Sequence, residues 1–212
     1  MARAASPIFE ESFKSQPDEV DWKAIGTPRV EGNKLVLEAT GNEASFANTG
    51  LQRKSPMDEL NFLQHPVEIE LKNLVMGGLA SPERQAFIVL LATDRSSETD
   101  AGAYLRLCVD GNGQVSLAVS SGEPGEGRTL STLASGRVEL PISHLSLRLT
   151  PEGYRLEYTD EAGSKELEGE WTEKLDQTLW QSSAPMFVIK AVRRPSEGTC
   201  EVSLGGLKIV AP

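Results

Sequence analysis

Apolar and polar residues alternate with a period of two along most of this chain, and helical spacing is nearly absent. Val67-Glu68-Ile69-Glu70-Leu71-Lys72 alternates strictly, with Val67, Ile69 and Leu71 on one face. Leu145, Leu147 and Leu149 form another such face, and Tyr154, Leu156 and Tyr158 a third. Ala86 to Ala92 is apolar throughout, as expected of a strand in the middle of a sheet, covered on both sides. Ala103–Asp110 and Gln114–Val119 flank Gly111-Asn112-Gly113, and Asn-Gly supplies the positive φ angles of a tight hairpin. Further strands are expected at Ile8–Phe13, Leu35–Ala39 (returning from the turn Glu31-Gly32-Asn33-Lys34), Ala44–Leu51, Glu166–Trp171, Met186–Val192 and Cys200–Val210. Residues 17–28, 53–65, 94–100 and 123–128 read as irregular or loop segments, and Thr172–Gln181 as the one short helix.

About a dozen strands are too many for one open sheet, so they must split into two packed layers or close on themselves. Turn signals recur at short intervals, and no linker or repeat divides residues 1–212. The pattern therefore predicts one all-β domain, a two-sheet antiparallel jelly-roll β-sandwich. Both chain ends read as strands, so the first and last are expected to lie close in space.

Composition narrows the partners. The formal net charge is −10, and the longest basic cluster is Arg193-Arg194. That argues against nucleic acid, whose binders replace condensed counterions with Lys and Arg. It argues equally against anionic membrane surfaces. The longest apolar run, Ala86–Thr93, is too short to span a bilayer as a helix. The N-terminal residues lack the apolar core of a signal peptide. Cys108 and Cys200 have no spacing signature, and two buried thiols are expected rather than a bridge. The oligomeric state is not legible.

Several segments together resemble bacterial modules of the concanavalin A-like lectin/glucanase superfamily, including laminin G-like jelly rolls. They are Phe9-Glu10-Glu11-Ser12-Phe13 followed by Trp22, Gly32-Asn33-Lys34-Leu35-Val36-Leu37, and Tyr104-Leu105-Arg106-Leu107 before the Gly-Asn-Gly hairpin. Leu147-Arg148-Leu149 before Gly153-Tyr154, and the closing Val202–Ile209, complete the set. The resemblance implies a concanavalin A-like fold and a polysaccharide or glycan partner held on a concave sheet face. It also implies an extracellular or periplasmic setting. Such modules bind glycans, hydrolyse them, or do neither.

Glycan recognition wants an aromatic ring against C–H groups and a guanidinium fork for hydroxyls. Tyr104 and Arg106 share one strand face and are the leading ligand-binding candidates, with Glu70 and Trp171 beside them. Trp22 and Trp180 read as core residues. Glu68 and Glu70 share a face, and a retaining glycosidase needs two carboxylates about 5–5.5 Å apart. The segment is similar to the start of the laminarinase-type catalytic strand, but the last acidic position falls on Asn73, so an acid/base partner is missing. No catalytic residue is assigned. His144 with Ser143 or Ser146 lacks the Gly-x-Ser-x-Gly turn of a nucleophile elbow.

The resemblance also implies a calcium ion, held at the front by Glu10 or Glu11. The closing Leu204-Gly205-Gly206-Leu207 offers no acid to complete it, so no cofactor is expected. The function expected is a non-catalytic carbohydrate-binding-like module. The alternatives are a structural or protein-interaction domain of a larger protein, and a glycoside hydrolase using Glu68 and Glu70.

Overall fold

The computed structural model describes residues 7–78, 81–93, 103–121, 129–171, 175, 177–181 and 184–211. Sixteen strands are formed among them: β1 (Pro7–Glu11), β2 (Trp22–Ile25), β3 (Arg29–Glu31), β4 (Lys34–Gly41), β5 (Ala47–Arg53), β6 (Val67–Gly77), β7 (Gln85–Ala92) and β8 (Tyr104–Asp110). Then come β9 (Gln114–Ser121), β10 (Thr129–Arg137), β11 (Ile142–Leu149), β12 (Gly153–Asp160), β13 (Gly163–Glu170), β14 (Met186–Arg193), β15 (Gly198–Leu204) and β16 (Gly206–Val210). The one described α-helix, α1 (Gln177–Gln181), is shorter than the expected Thr172–Gln181, part of which lies outside the described residues. The expected loops at 94–100 and 123–128 lie outside them as well.

The strands form two antiparallel sheets, the jelly-roll sandwich that the alternation predicts. A seven-stranded sheet runs β10-β9-β8-β7-β14-β5-β2, and a nine-stranded sheet runs β13-β12-β11-β6-β15-β4-β3 with β16 and β1 attached. The first and last strands do meet, with Glu10 opposite Lys208. On one side β6 has two partners in succession: β16 pairs its residues 68–72, and β15 pairs Val75–Gly77. The handover falls at Asn73, whose φ is +53°, and at Gly205, whose N–H donates to the Lys72 carbonyl. A one-residue irregularity lets a single long strand serve both neighbours. It also splits the expected Cys200–Val210 strand into two.

Three further boundaries differ from the sequence reading. Phe13 is not in the first strand, because the chain turns there with φ +49° to bury the ring. Trp22–Ile25 is an edge strand, anchored by Trp22, which packs on Phe9 and Phe187 with the Arg53 guanidinium 5.2 Å from its ring. Thr129–Arg137 is an edge strand of small and polar residues (TLSTLASGR), whose weak apolar pattern gave no alternation to read.

The core lies between the sheets. Val67, Ile69, Leu71, Leu145, Leu147 and Leu149 face Phe87, Val89, Leu91, Leu105, Leu107 and Phe187 across it. Trp180 is fully buried there, and Asn61 Nδ2 donates to the carbonyls of Trp180 and Gln181, tying α1 to the loop before β6. No disulfide joins Cys108 and Cys200. Cys200 sits in this core, where burial pushes its thiol up to about 11.

Asp160 ends β12 with its carboxylate closed off from solvent. Its Oδ2 accepts from the Glu139 N–H at 2.8 Å, its Oδ1 from the Ala162 N–H at 2.9 Å, and Lys165 Nζ lies 3.4 Å away. The Glu139 N–H above all, with Ala162 and Lys165, holds this carboxyl below its ordinary value against the opposing effect of burial. A depressed folded pKa stabilises the fold fully above the unfolded value near 4, and the contribution disappears as pH falls through the folded value. Asp160→Asn is therefore expected to melt below the parent at pH 7, with the gap closing as pH drops under about 4. An equal gap at pH 7 and pH 3 in thermal melts would remove this role.

Candidate functional site

The seven-stranded sheet has an unusual outer surface. Its inward residues build the core, yet Ala86, Ile88, Leu90, Ala92, Tyr104, Cys108 and Val188, on the opposite face, form a second buried cluster. Ile25, Leu130 and Val192 pack against it. The run Ala86–Ala92 is therefore buried on both faces, as its composition predicts. An antiparallel sheet turned to water would instead carry polar residues on its outer side.

Strand registers arrange this face in rows. One row crosses all seven strands as Lys23, Gln52, Val188, Leu90, Arg106, Ala118 and Thr132. The neighbouring row on one side contains Gly50, Lys190, Ile88, Cys108 and Ser116. On the other side Tyr104 stands opposite Ala92, and its N–H donates to Ser120 Oγ at 2.9 Å. Tyr104 is nearly buried and Arg106 partly so. Arg106 Nε is buried and has no hydrogen-bond partner among the described residues. A guanidinium cannot shed its charge, so an Nε without an acceptor is a costly donor to bury.

The other sequence candidates lie elsewhere. Glu68 and Glu70 stand on the outer face of the nine-stranded sheet, across the sandwich from Arg106. Glu68 Oε1 accepts from Ser146 Oγ at 2.9 Å, so that serine hydroxyl is directed to a carboxylate rather than to His144. Glu70 has Lys208 Nζ 3.7 Å away. The two carboxylates open on different hollows. One, of about 150 Å³, is lined by Glu68, Ser146, Arg148, Arg155 and Glu157. The other, of about 100 Å³, is lined by Glu10, Glu11, Glu70, Lys72 and Lys208 among others. Asn73, at the third acidic position of the laminarinase-like pattern, is the left-handed residue where β6 changes partner.

Trp171 follows β13 and packs against Phe62 and Tyr154, with ring centroids 5.0 and 5.5 Å away. Its indole N–H donates to the Thr150 carbonyl at 2.7 Å. Of the four ligand-binding candidates, the fold thus unites Tyr104 with Arg106 and separates Glu70 and Trp171 from them. Among the described residues, no three His, Cys, Asp or Glu side chains converge on a point that could hold a metal ion, and no helix is long and apolar enough to cross a membrane.

Sequence reasoning passed over Lys23 and Lys190 on the same face. For Lys190 a signal existed: Phe187, Ile189 and Ala191 alternate inward, which turns residue 190 outward. No such signal places Lys23 in the row of Arg106, because the stretch of that row between them is assembled from five strands.

No protein-family model and no curated protein sequence matches the chain. Solved structures do match along nearly its whole length. One is from work on endo-acting O-glycanases expressed by prominent members of the human gut microbiota to initiate mucin breakdown, with TM-score 0.66 and 14% identity over 97% of this chain and 99% of that one. Another is lectin I of Ulex europaeus in complex with the methyl glycoside of α-L-fucose, with TM-score 0.63 and 14% identity over 95% of this chain and 96% of that one. A third is SCLam, a non-specific endo-β-1,3(4)-glucanase of family GH16, with TM-score 0.60 and 12% identity over 97% of this chain and 90% of that one. Lectins and glycanases alike share the concanavalin A-like jelly roll, and that is the fold of this chain.

Proposed function

We propose that this chain is a non-catalytic carbohydrate-binding module, with its ligand on the outer face of the seven-stranded sheet. The observation that carries the reading is Arg106: a partly buried guanidinium with an unpartnered Nε, on the same strand face as Tyr104. A sugar presents both surfaces such a site can use. Its C–H faces lie against apolar and aromatic groups, and its hydroxyls accept from the fork. The lectin and glycanase folds it resembles lend support. Against hydrolysis stands the placement of Glu68 and Glu70 in two separate hollows on the opposite sheet.

Affinity electrophoresis through gels loaded with individual polysaccharides tests this. Retardation by at least one is expected. Charge-assisted hydrogen bonds contribute about 1.5–3 kcal/mol, so Arg106→Gln should weaken binding about 10- to 100-fold with melting temperature preserved. No retardation by any polysaccharide would sink the proposal.

A further inference from the structure

The hairpin end of the seven-stranded sheet holds a further hollow on its outer face. The hollow measures about 480 Å³ and is lined by Asp110, Asn112, Gln114, Ser135, Gly136 and Arg137. Ligand pockets commonly measure about 300–1,000 Å³. Three neighbouring strands build it. Asp110 ends β8, Gln114 opens β9 and Arg137 ends β10, with Gln114 directly opposite Arg137. Val109 and Val115 point into the core, and a Cβ on Gly136 would lie 2.4 Å from the Tyr158 hydroxyl, also on the inner side. Alternation therefore turns Asp110, Gln114, Ser135 and Arg137 outward. Unlike the apolar middle of this face, the hollow is open to solvent: Asn112, Gln114, Ser135 and Arg137 are exposed, and Asp110 is partly so.

The arrangement is held in place by the backbone. Asp110 Oδ1 accepts from the N–H groups of Asn112 and Gln114, both at 2.9 Å, which fixes the carboxylate at the turn and leaves Oδ2 without a donor among the described residues. Gly113 N–H donates to the Asp110 carbonyl at 3.0 Å, and Val138 N–H donates to the Gly113 carbonyl at 2.8 Å, so the turn is tied to the end of β10.

We infer that this hollow is a second carbohydrate subsite, one that reads adjacent hydroxyls of a neutral sugar residue. The inference rests on the carbohydrate-binding reading above but not on Arg106. That residue stands four positions from Asp110 on β8, about 13 Å away at about 3.3 Å per residue, with buried Cys108 between them. A carboxylate only accepts hydrogen bonds and a guanidinium only donates them, whereas carboxamides and serine do both. Asp110 and Arg137 are two strand spacings apart, about 10 Å, and Gln114 lies between them. A hydroxyl that donates to Asp110 Oδ2 and accepts from Gln114, next to one that accepts from Arg137, satisfies all three. A sugar carboxylate is attracted by Arg137 but repelled by Asp110, and an amine meets the reverse, so a charged sugar gains little. A hard cation needs several oxygen ligands and would face the guanidinium as well.

The test uses the full chain in affinity gels holding galactomannan, xyloglucan, mixed-linkage β-glucan or polygalacturonate. At least one of the three neutral polymers is expected to retard the protein. Asp110→Asn keeps an Oδ1 for the turn N–H groups and replaces the free acceptor with a donor. It and Arg137→Gln should each weaken that retardation about tenfold, with melting temperature preserved. Gln114 is exposed, so Gln114→Ala, with the same expected direction, takes the place of Asp110→Asn if that variant disturbs the hairpin. Arg155→Gln, on the opposite sheet, should leave retardation unchanged. Retardation lost in Arg106→Gln but unchanged in Asp110→Asn or in Arg137→Gln would overturn this inference and leave the carbohydrate-binding reading intact. Retardation by polygalacturonate alone would do the same. Retardation weakened as much in Arg155→Gln as in Arg137→Gln would also overturn it. No retardation by any of the four polymers would overturn both.

Discussion

Replacing Arg193 with alanine is expected to lower the melting temperature by about 10 °C, corresponding to about 3–5 kcal/mol for a chain of this size. Arg193 is the last residue of β14 and is fully buried. Its Nη1 donates to the Ser81 carbonyl at 3.3 Å and its Nη2 to the Glu197 carbonyl, so one guanidinium ties together the segments before β7 and before β15. The adjacent backbone continues the tie, with Arg194 N–H donating to the Arg84 carbonyl at 2.8 Å. Gly41 makes room for the stem: a Cβ there would lie 2.7 Å from Arg193 Cγ. Truncation removes two charge-assisted hydrogen bonds, each worth about 1.5–3 kcal/mol, and leaves a cavity as well. Arg193→Met keeps most of the volume and isolates the hydrogen-bond part, so it should fall between parent and alanine variant. A melt of Arg193→Ala within about 2 °C of the parent, well under the expected shift, would show that the tie is dispensable.

Gly50→Ala is expected to be as damaging, for a steric reason. Gly50 lies in β5 between Ile25 of β2 and Lys190 of β14. A Cβ at this position would sit 2.1 Å from the Ile189 carbonyl oxygen and 2.7 Å from Lys190 Cβ. The first of these is backbone, so relief requires β5 to part from β14 in the middle of a sheet. Overpacking of this kind costs about 1–3 kcal/mol or more, and ladder hydrogen bonds are lost with it. Gly32→Ala provides the contrast. Gly32 has φ +57° and open space around its Cβ position, so only the left-handed backbone is penalised, at about 1–2 kcal/mol. Chemical denaturation of the two variants should separate them clearly. Similar losses would mean that β14 and β5 have slack the structure does not show.

Sheet-forming runs were readable wherever alternation was strong. Val67–Lys72, Tyr154–Tyr158 and the Gly111-Asn112-Gly113 hairpin lie where the pattern puts them, and the terminal strands pair as expected. The two edge strands of the seven-stranded sheet were not readable. Thr129–Arg137 borrows its order from β9, and Trp22–Ile25 from β5, so neither needs an apolar stripe of its own.

For the candidate site the division is similar. Tyr104 and Arg106 were found because two residues on one strand share a face by covalent geometry alone. Their separation from Glu70 and Trp171, and their alignment with Lys23, came from elsewhere. By itself the sequence determined the layered all-β architecture, the faces of its best strands, and the chemistry available on each. Only the tertiary structure decided which sheet each strand joined, and so which faces looked the same way. Period-two burial is a local property that each strand carries in its own residues. Partner choice and register depend on contacts between residues far apart in the chain, such as Glu68 with Ser146 or Lys23 with Gln52, and no single segment encodes them.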